Sequence, residues 1–171
     1  MENKRTWLYI LGGLAGTVLL VLLDQWTKHL AVTYLAGGED IVLIPGVFQL
    51  QYLENRGAAF GLFQNKIWAF VILTVVFLLF LIWAYLRMPK TKKYLPLHVV
   101  AAVLAAGALG NFIDRVRLGY VVDFFYFSLI DFPIFNVADI YVVVSFAALL
   151  ICILFVYGED DFSFLSPGKR G

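Results

Sequence analysis

Residues 67–86 read IWAFVILTVVFLLFLIWAYL, twenty positions without a charged side chain. A helix rising about 1.5 Å per residue covers about 30 Å in that length, the thickness of a bilayer's hydrocarbon core. Phe70, Phe77, Phe80 and Trp83 stand among Ile, Leu and Val on every side. The segment is therefore apolar all round and is expected to face lipid. Three more runs reach or approach spanning length: Trp7–Leu23, Leu97–Ile113 and Ile140–Tyr157. The chain is 62% hydrophobic and only 15% charged, well below the roughly 25% charge of soluble domains. The expectation is an all-α membrane protein with four transmembrane helices, a single membrane domain over residues 1–171.

Lys4 and Arg5 precede the first run, as in a secretory signal peptide. The run is too long for an h-region, however, and Asp24, Gln25, Trp26, Thr27 and Lys28 follow it where a small-residue cleavage site would stand. It reads as a retained span. Basic residues set the orientation: Lys4 and Arg5 at the start, then Arg87, Lys90, Lys92 and Lys93 in a loop at 87–96 without an acid. Both segments are expected on the cytoplasmic side. Four spans then return the tail, residues 158–171, to the cytoplasm, and its polar, turn-rich composition predicts a loose segment. Loops 24–66 and 114–139 fall on the outer face. Gly12, Gly13 and Gly16 in the first span, with Ala101, Ala102, Ala105, Ala106, Gly107 and Gly110 in the third, predict that these two helices make the tight core.

Phe48, Leu50 and Tyr52 alternate with Gln49 and Gln51, the period of a strand. Pro45 and Gly46 punctuate its start, and Gly57 and Gly61 lie beyond its end. A small extracytoplasmic β-cradle, rich in interfacial aromatics, is expected on the membrane surface.

A net charge of +1 gives no support to a nucleic-acid partner. Cys152 stands alone, so neither an internal disulfide nor a CxxC pair can form. His29 and His98 match no HExxH pattern, and no metal site or cofactor is expected. Ser128 and Ser145 have no base nearby in sequence, which leaves acid–base chemistry to carboxylates.

Ionisable residues at the edges of spans must be paired, face water or do chemistry. Asp24 and Lys28 stand at i, i+4 with the acid first, the favourable order for a helical ion pair. Asn111, Asp114 and Arg115 share one helical face. Asp123 lies among Val121, Val122 and Phe124, where burial disfavours its charge. Asp139 falls three residues after Asn136, a candidate N-cap for the fourth span, so the helix dipole favours its carboxylate. Two carboxyls that meet would share one proton and could activate water while protonating a departing amide. The alternative from residue types alone is that Asp139 only caps its helix and Asp123 pairs with Arg115 or Arg117.

Five motifs in order resemble the bacterial lipoprotein signal peptidases, the signal peptidase II family: Asp24 to Lys28, Asn55 to Gly61, Gly107 to Arg115, Val121 to Phe124, and Phe135 to Asp139. Ala106 stands where the family usually has the first glycine of a pair. The resemblance implies an aspartyl endopeptidase that removes signal peptides from prolipoproteins, cutting before a cysteine modified with diacylglycerol at the outer face of a bacterial inner membrane. It assigns the catalytic pair to Asp123 and Asp139. It gives supporting or substrate-binding roles to Asn111, Asp114, Arg115, Asn136, Asp24, Lys28, Asn55 and Gly57. It also implies contact with membrane lipids and inhibition by the cyclic peptide globomycin.

Overall fold

A computed structural model describes residues 2–57 and 67–166; Ala58, Ala59, Phe60 and Gly61 of the second motif lie outside the described residues. The chain runs α1 (Glu2–Leu35), β1 (Ile41–Ile44), β2 (Phe48–Asn55), α2 (Ile67–Arg87), α3 (Leu95–Leu118), β3 (Val121–Tyr126) and α4 (Val137–Ile151). A π-helical turn, Cys152–Val156, prolongs α4, and a 3-10 helix, Glu159–Leu165, follows it. Among the described residues four helices are long and apolar enough to cross a membrane.

The first helix continues well past Leu23. Thr17, Asp24, Lys28, Ala31 and Leu35 are all buried, and their spacing of seven, four, three and four residues keeps them on one helical stripe. The inward face therefore extends beyond the apolar run as a polar one, and the helix extends with it. The third helix begins with Pro96 in its first turn, where a missing N–H costs nothing. It ends at Gly119, whose φ of 77° makes a left-handed cap with its N–H donating to the Arg115 carbonyl.

This third helix is the centre of the bundle, contacting α1, α2 and α4. Its glycines let α4 approach: a Cβ on Gly107 would lie 2.6 Å from the Ala138 carbonyl oxygen and 2.8 Å from Val142 Cγ2. A Cβ on Gly110 would collide with the Asp24 carboxylate. Ala106, the departure from the family pattern, is fully buried at 0% exposure. In α1, by contrast, a Cβ on Gly12 or Gly16 would meet nothing within 4 Å. The first and third spans do pack together, as expected, but through the glycines of α3 and not through Gly12 and Gly16: Gly110 meets Asp24 of α1, and Gly107 brings α4 equally close. The second helix buries only Val71 and Ala84, in keeping with an all-round apolar surface.

The three strands form an antiparallel sheet in the order β1-β2-β3. Gly46, at φ 69°, turns β1 into β2. The β2–β3 register sets Leu53 opposite Asp123 and Asn55 opposite Val121. Val122 and Phe124 on β3 pack with Ala31 and Leu35 of α1, which seats the sheet on the end of the bundle.

The tail differs from the loose segment expected. Phe162 and Phe164 pack against Met88, Leu97, Cys152 and Tyr157, Lys93 Nζ pairs with Asp161 at 2.5 Å, and the Tyr157 hydroxyl donates to the Lys93 carbonyl. Its aromatic residues, overlooked beside its charges, bury themselves against the ends of α2, α3 and α4.

Replacing Gly107 by Ala is expected to destabilise the protein by about 1–3 kcal/mol through overpacking, read as a lower unfolding midpoint in detergent. Gly12→Ala should leave that midpoint unchanged or raise it, because Ala restricts the unfolded chain without meeting a neighbour.

Candidate active site

The site begins with a cation buried among acids. Lys28 is 3% exposed, and its Nζ lies 3.1 Å from Asp24 Oδ2, 2.9 Å from Asp114 Oδ2 and 2.8 Å from Asn111 Oδ1. One ammonium facing two carboxylates leaves an excess of negative charge, and other donors offset it. Gln25 Nε2 donates to Asp114 Oδ1 at 2.9 Å, to Asp24 Oδ2 at 3.2 Å and to the Gly110 carbonyl at 3.2 Å. The Ala138 N–H donates to Asp24 Oδ1 at 2.9 Å, so Asp24 satisfies an orphan donor in the first turn of α4. The Val122 N–H donates to Asp114 Oδ2 at 3.1 Å. The cluster thus joins α1, α3, β3 and the start of α4.

Above it two asparagines carry the connection to the remaining carboxylates. Asn111 Oδ1 accepts from Lys28 and from Asn136 Nδ2, while its own Nδ2 donates to Asp139 Oδ1 at 2.8 Å. Asn136 caps α4 in a reciprocal box: its Oδ1 accepts from the Asp139 N–H at 3.0 Å, and its own N–H donates to Asp139 Oδ2 at 3.0 Å. The same side chain's Nδ2 donates to Asp123 Oδ1 at 2.6 Å. Asn136 therefore touches both aspartates. Asn55, brought alongside by the β2–β3 register, donates from Nδ2 to Asp123 Oδ2 at 2.8 Å. Its Oδ1 accepts the Gly57 N–H at 3.0 Å, so Gly57 acts through its backbone.

Asp123 is 1% exposed. Burial, and after it the charge of Asp139, pushes its carboxyl up to about 7; the hydrogen bonds from Asn55 and Asn136 and the charge of Lys28 pull the other way.

Of the residues singled out from sequence, Asp24, Lys28, Asn55, Asn111, Asp114, Asp123, Asn136 and Asp139 meet in one hydrogen-bonded network. Arg115 bonds to neither aspartate of the pair: its Nη1 donates to the Asn111 carbonyl at 3.3 Å and its guanidinium lies over the Phe70 ring. Pairing of Asp123 with Arg115 or Arg117 does not occur among the described contacts. Gln25, inside the first motif, joins this network although residue type and spacing do not single it out. Its signal was an amide at the end of an apolar run, next to an acid that had to be buried.

Lys28→Met leaves Asp24 and Asp114 buried without their cation. The expected cost is about 3–5 kcal/mol, read as a large fall in the unfolding midpoint in detergent; a variant melting with the wild type would contradict the network's structural weight.

Comparisons with known proteins show the family. A family model described as signal peptidase (SPase) II, Peptidase_A8, matches residues 16–155. The lipoprotein signal peptidase of Streptococcus pyogenes serotype M1 is 41% identical over 145 residues, 85% of this chain and 92% of that protein. That of Streptococcus thermophilus strain CNRZ 1066 is 44% identical over 142 residues, 83% of this chain and 90% of that protein. Two solved structures described as bacterial membrane enzymes also superimpose. One has a TM-score of 0.74 at 32% identity and covers 94% of each chain. The other has a TM-score of 0.72 at 34% identity and covers 85% of this chain and 94% of its own. The sheet and the five motifs fall within the matched range, and the chain belongs to the signal peptidase II family of aspartic peptidases, the lipoprotein signal peptidases, as a multi-pass bacterial membrane protein.

Proposed function

We propose that the chain cleaves prolipoprotein signal peptides on the amino side of a diacylglyceryl-modified cysteine, with Asp123 and Asp139 as the catalytic pair. The observation that carries the assignment is Asn136, whose backbone N–H holds Asp139 while its side-chain amide holds Asp123. Two remote carboxyls held by one residue, at the junction of sheet and bundle, form an arrangement suited to handling one proton jointly.

In this reading Asp139 takes a proton from water as the oxygen adds to the scissile carbonyl carbon. Asp123, protonated below about pH 7, gives its proton to the departing nitrogen as the C–N bond breaks. Return of the proton from Asp139 to Asp123 restores the pair. Lys28 acts indirectly, by fixing Asn111, which in turn donates to Asp139. Asn55 aligns Asp123 from the sheet side. Arg115 lies near enough for its charge to act on the pair through space.

The basic loop and N-terminal lysine support an orientation with both termini in the cytoplasm, which puts the aspartates near the outer face. Substrate acyl chains and an apolar signal segment both partition into lipid. The bilayer then supplies part of the positioning that catalysis requires, and the cradle can exclude bulk water from the cut bond. By family resemblance globomycin would bind at the same carboxylates.

Purified protein in detergent is expected to cut a lipid-modified precursor, while Asp123→Asn and Asp139→Asn each reduce cleavage to background with folding nearly intact, since Asn keeps the shape of Asp and the N-cap of α4, Asn136, is untouched. Chelators should have no effect; loss in chelator restored by a divalent ion would contradict the two-carboxyl mechanism. A raised carboxyl pKa means that the donor form is complete well below 7 and lost as pH rises through about 7. The pH profile of kcat/KM should accordingly fall on its alkaline side near there, and a profile flat from about pH 6 to 8.5 would argue against Asp123 as the donor. By the same linkage the folding stability contributed by this proton is complete below about pH 4 and declines as the pH rises from there to about 7.

A further inference from the structure

The end of the bundle away from the aspartates holds a cavity the peptidase chemistry does not use. His98 lies about 24 Å from Asp114 along α3, at about 1.5 Å of rise per residue. Beside it α1 and α3 border an open cleft of about 720 Å3, walled by Gly12, Gly16 and Leu20 on one side and Leu95, Ala102 and Val103 on the other. A cavity of that size is in the range of ligand sites. Glycine in a transmembrane helix ordinarily admits a neighbouring helix. Here the faces of Gly12 and Gly16 meet only open space, whereas Gly13 between them is closed off by the Tyr85 side chain.

Two polar groups mark one end of this otherwise apolar space. His98 is 3% exposed, its ring held between Tyr9 and Tyr85 at centroid distances of 4.8 and 4.7 Å. Its Nε2 lies 3.3 Å from the Pro89 carbonyl, which can only accept, so Nε2 carries the proton. Nδ1 of the neutral ring is left as a buried acceptor without a partner, and the tyrosine hydroxyl beside it is committed to the Tyr9 carbonyl at 2.6 Å. Lys92, exposed, also lines the cavity. Among the described contacts it has no ion pair, whereas nearby Lys90 spends its donors on the carbonyls of Tyr85, Leu86 and Met88.

We propose that this cavity binds one anionic phospholipid with a hydroxylated headgroup, drawn from the leaflet at the Lys92 end. An acyl chain fills the glycine-faced cleft, the phosphate pairs with Lys92, and a headgroup hydroxyl donates to His98 Nδ1. Charge complementarity favours this occupant over a second protein helix: Lys92, the cation at the edge of an otherwise apolar cleft between transmembrane helices, attracts an anionic headgroup. An apolar cleft with His98 and Lys92 among its lining residues also fits a thin chain with a polar end better than the broad face of a helix about 10 Å across. On the orientation proposed above, this is the cytoplasmic leaflet, opposite the site of cleavage.

Full-length protein stripped of lipid in detergent, supplied with phosphatidylglycerol or phosphatidylcholine and read by native mass spectrometry, tests the proposal. Phosphatidylglycerol should be retained about fivefold better, the factor that one lysine contact contributes at a membrane surface. Lys92→Gln should narrow the difference to what the His98 contact supplies, and His98→Phe should weaken phosphatidylglycerol alone. Gly12→Leu with Gly16→Leu fills the cleft and should abolish retention of both while precursor cleavage in detergent is unchanged; Val103→Trp fills it from the opposite wall if the double variant fails to fold. Equal retention of the two lipids by the wild type, or full retention by a cleft-filled variant that still cleaves precursor, would overturn the proposal. So would a wild-type dimer that the cleft-filling changes convert to monomer, which would show a second copy as the occupant.

Discussion

The buried Lys28 ammonium is the interaction on which the rest of the structure depends. Its contacts with Asp24, Asp114 and Asn111 join the first and third helices. The same acids reach further, Asp24 to the first turn of α4 and Asp114 to the backbone of β3. Each buried charge is expensive alone and acceptable only with its partners in place. That dependence makes the relative placement of four elements an all-or-none matter. In a bilayer, where apolar side chains gain little by leaving lipid for one another, such a polar cluster specifies one packing among several that apolar contact would tolerate.

Asn136 converts that framework into a site. Its side chain and backbone cap α4 by reciprocal bonds with Asp139, a local device found at many helix starts. What is particular is the remaining amide hydrogen bonding, which goes to Asp123 and to Asn111. A residue that would otherwise only begin a helix here ties a helix terminus, a strand and the lysine cluster together. Asn55 completes the enclosure from β2, because the sheet register brings its side chain to Asp123. The proposed chemistry needs this rigidity, since two carboxyls that share a proton must keep their separation while water and substrate move between them.

The two ends of the bundle solve different problems. The aspartate end is dense with hydrogen bonds. At the opposite end aromatic packing of Phe162 and Phe164 with Tyr94 and Tyr157 gathers the termini of α2, α3 and α4. Beside that clasp the α1–α3 cleft stays open, with Gly12 and Gly16 of α1 unpacked while Gly107 of α3 is pressed against α4. The same residue type therefore serves close approach in one helix and leaves room in another.

The amino-acid sequence by itself determined what depends on near neighbours. Uninterrupted apolar runs called for four spans, the alternation from Phe48 marked a strand, and the spacings Asp24 to Lys28 and Asn136 to Asp139 foretold a helical ion pair and a cap. All of these interactions close within one turn or one pleat, so spacing encodes them. Only the tertiary structure decided that Lys28 also meets Asp114, that Asn55 reaches Asp123, and that Gly107 is packed while Gly12 is not. It also decided that α1 runs on to Leu35 and that the tail folds back to Leu165. Those outcomes turn on which faces of separate elements meet, and a buried polar stripe looks the same in sequence as an exposed one until its partners, distant along the chain, arrive beside it.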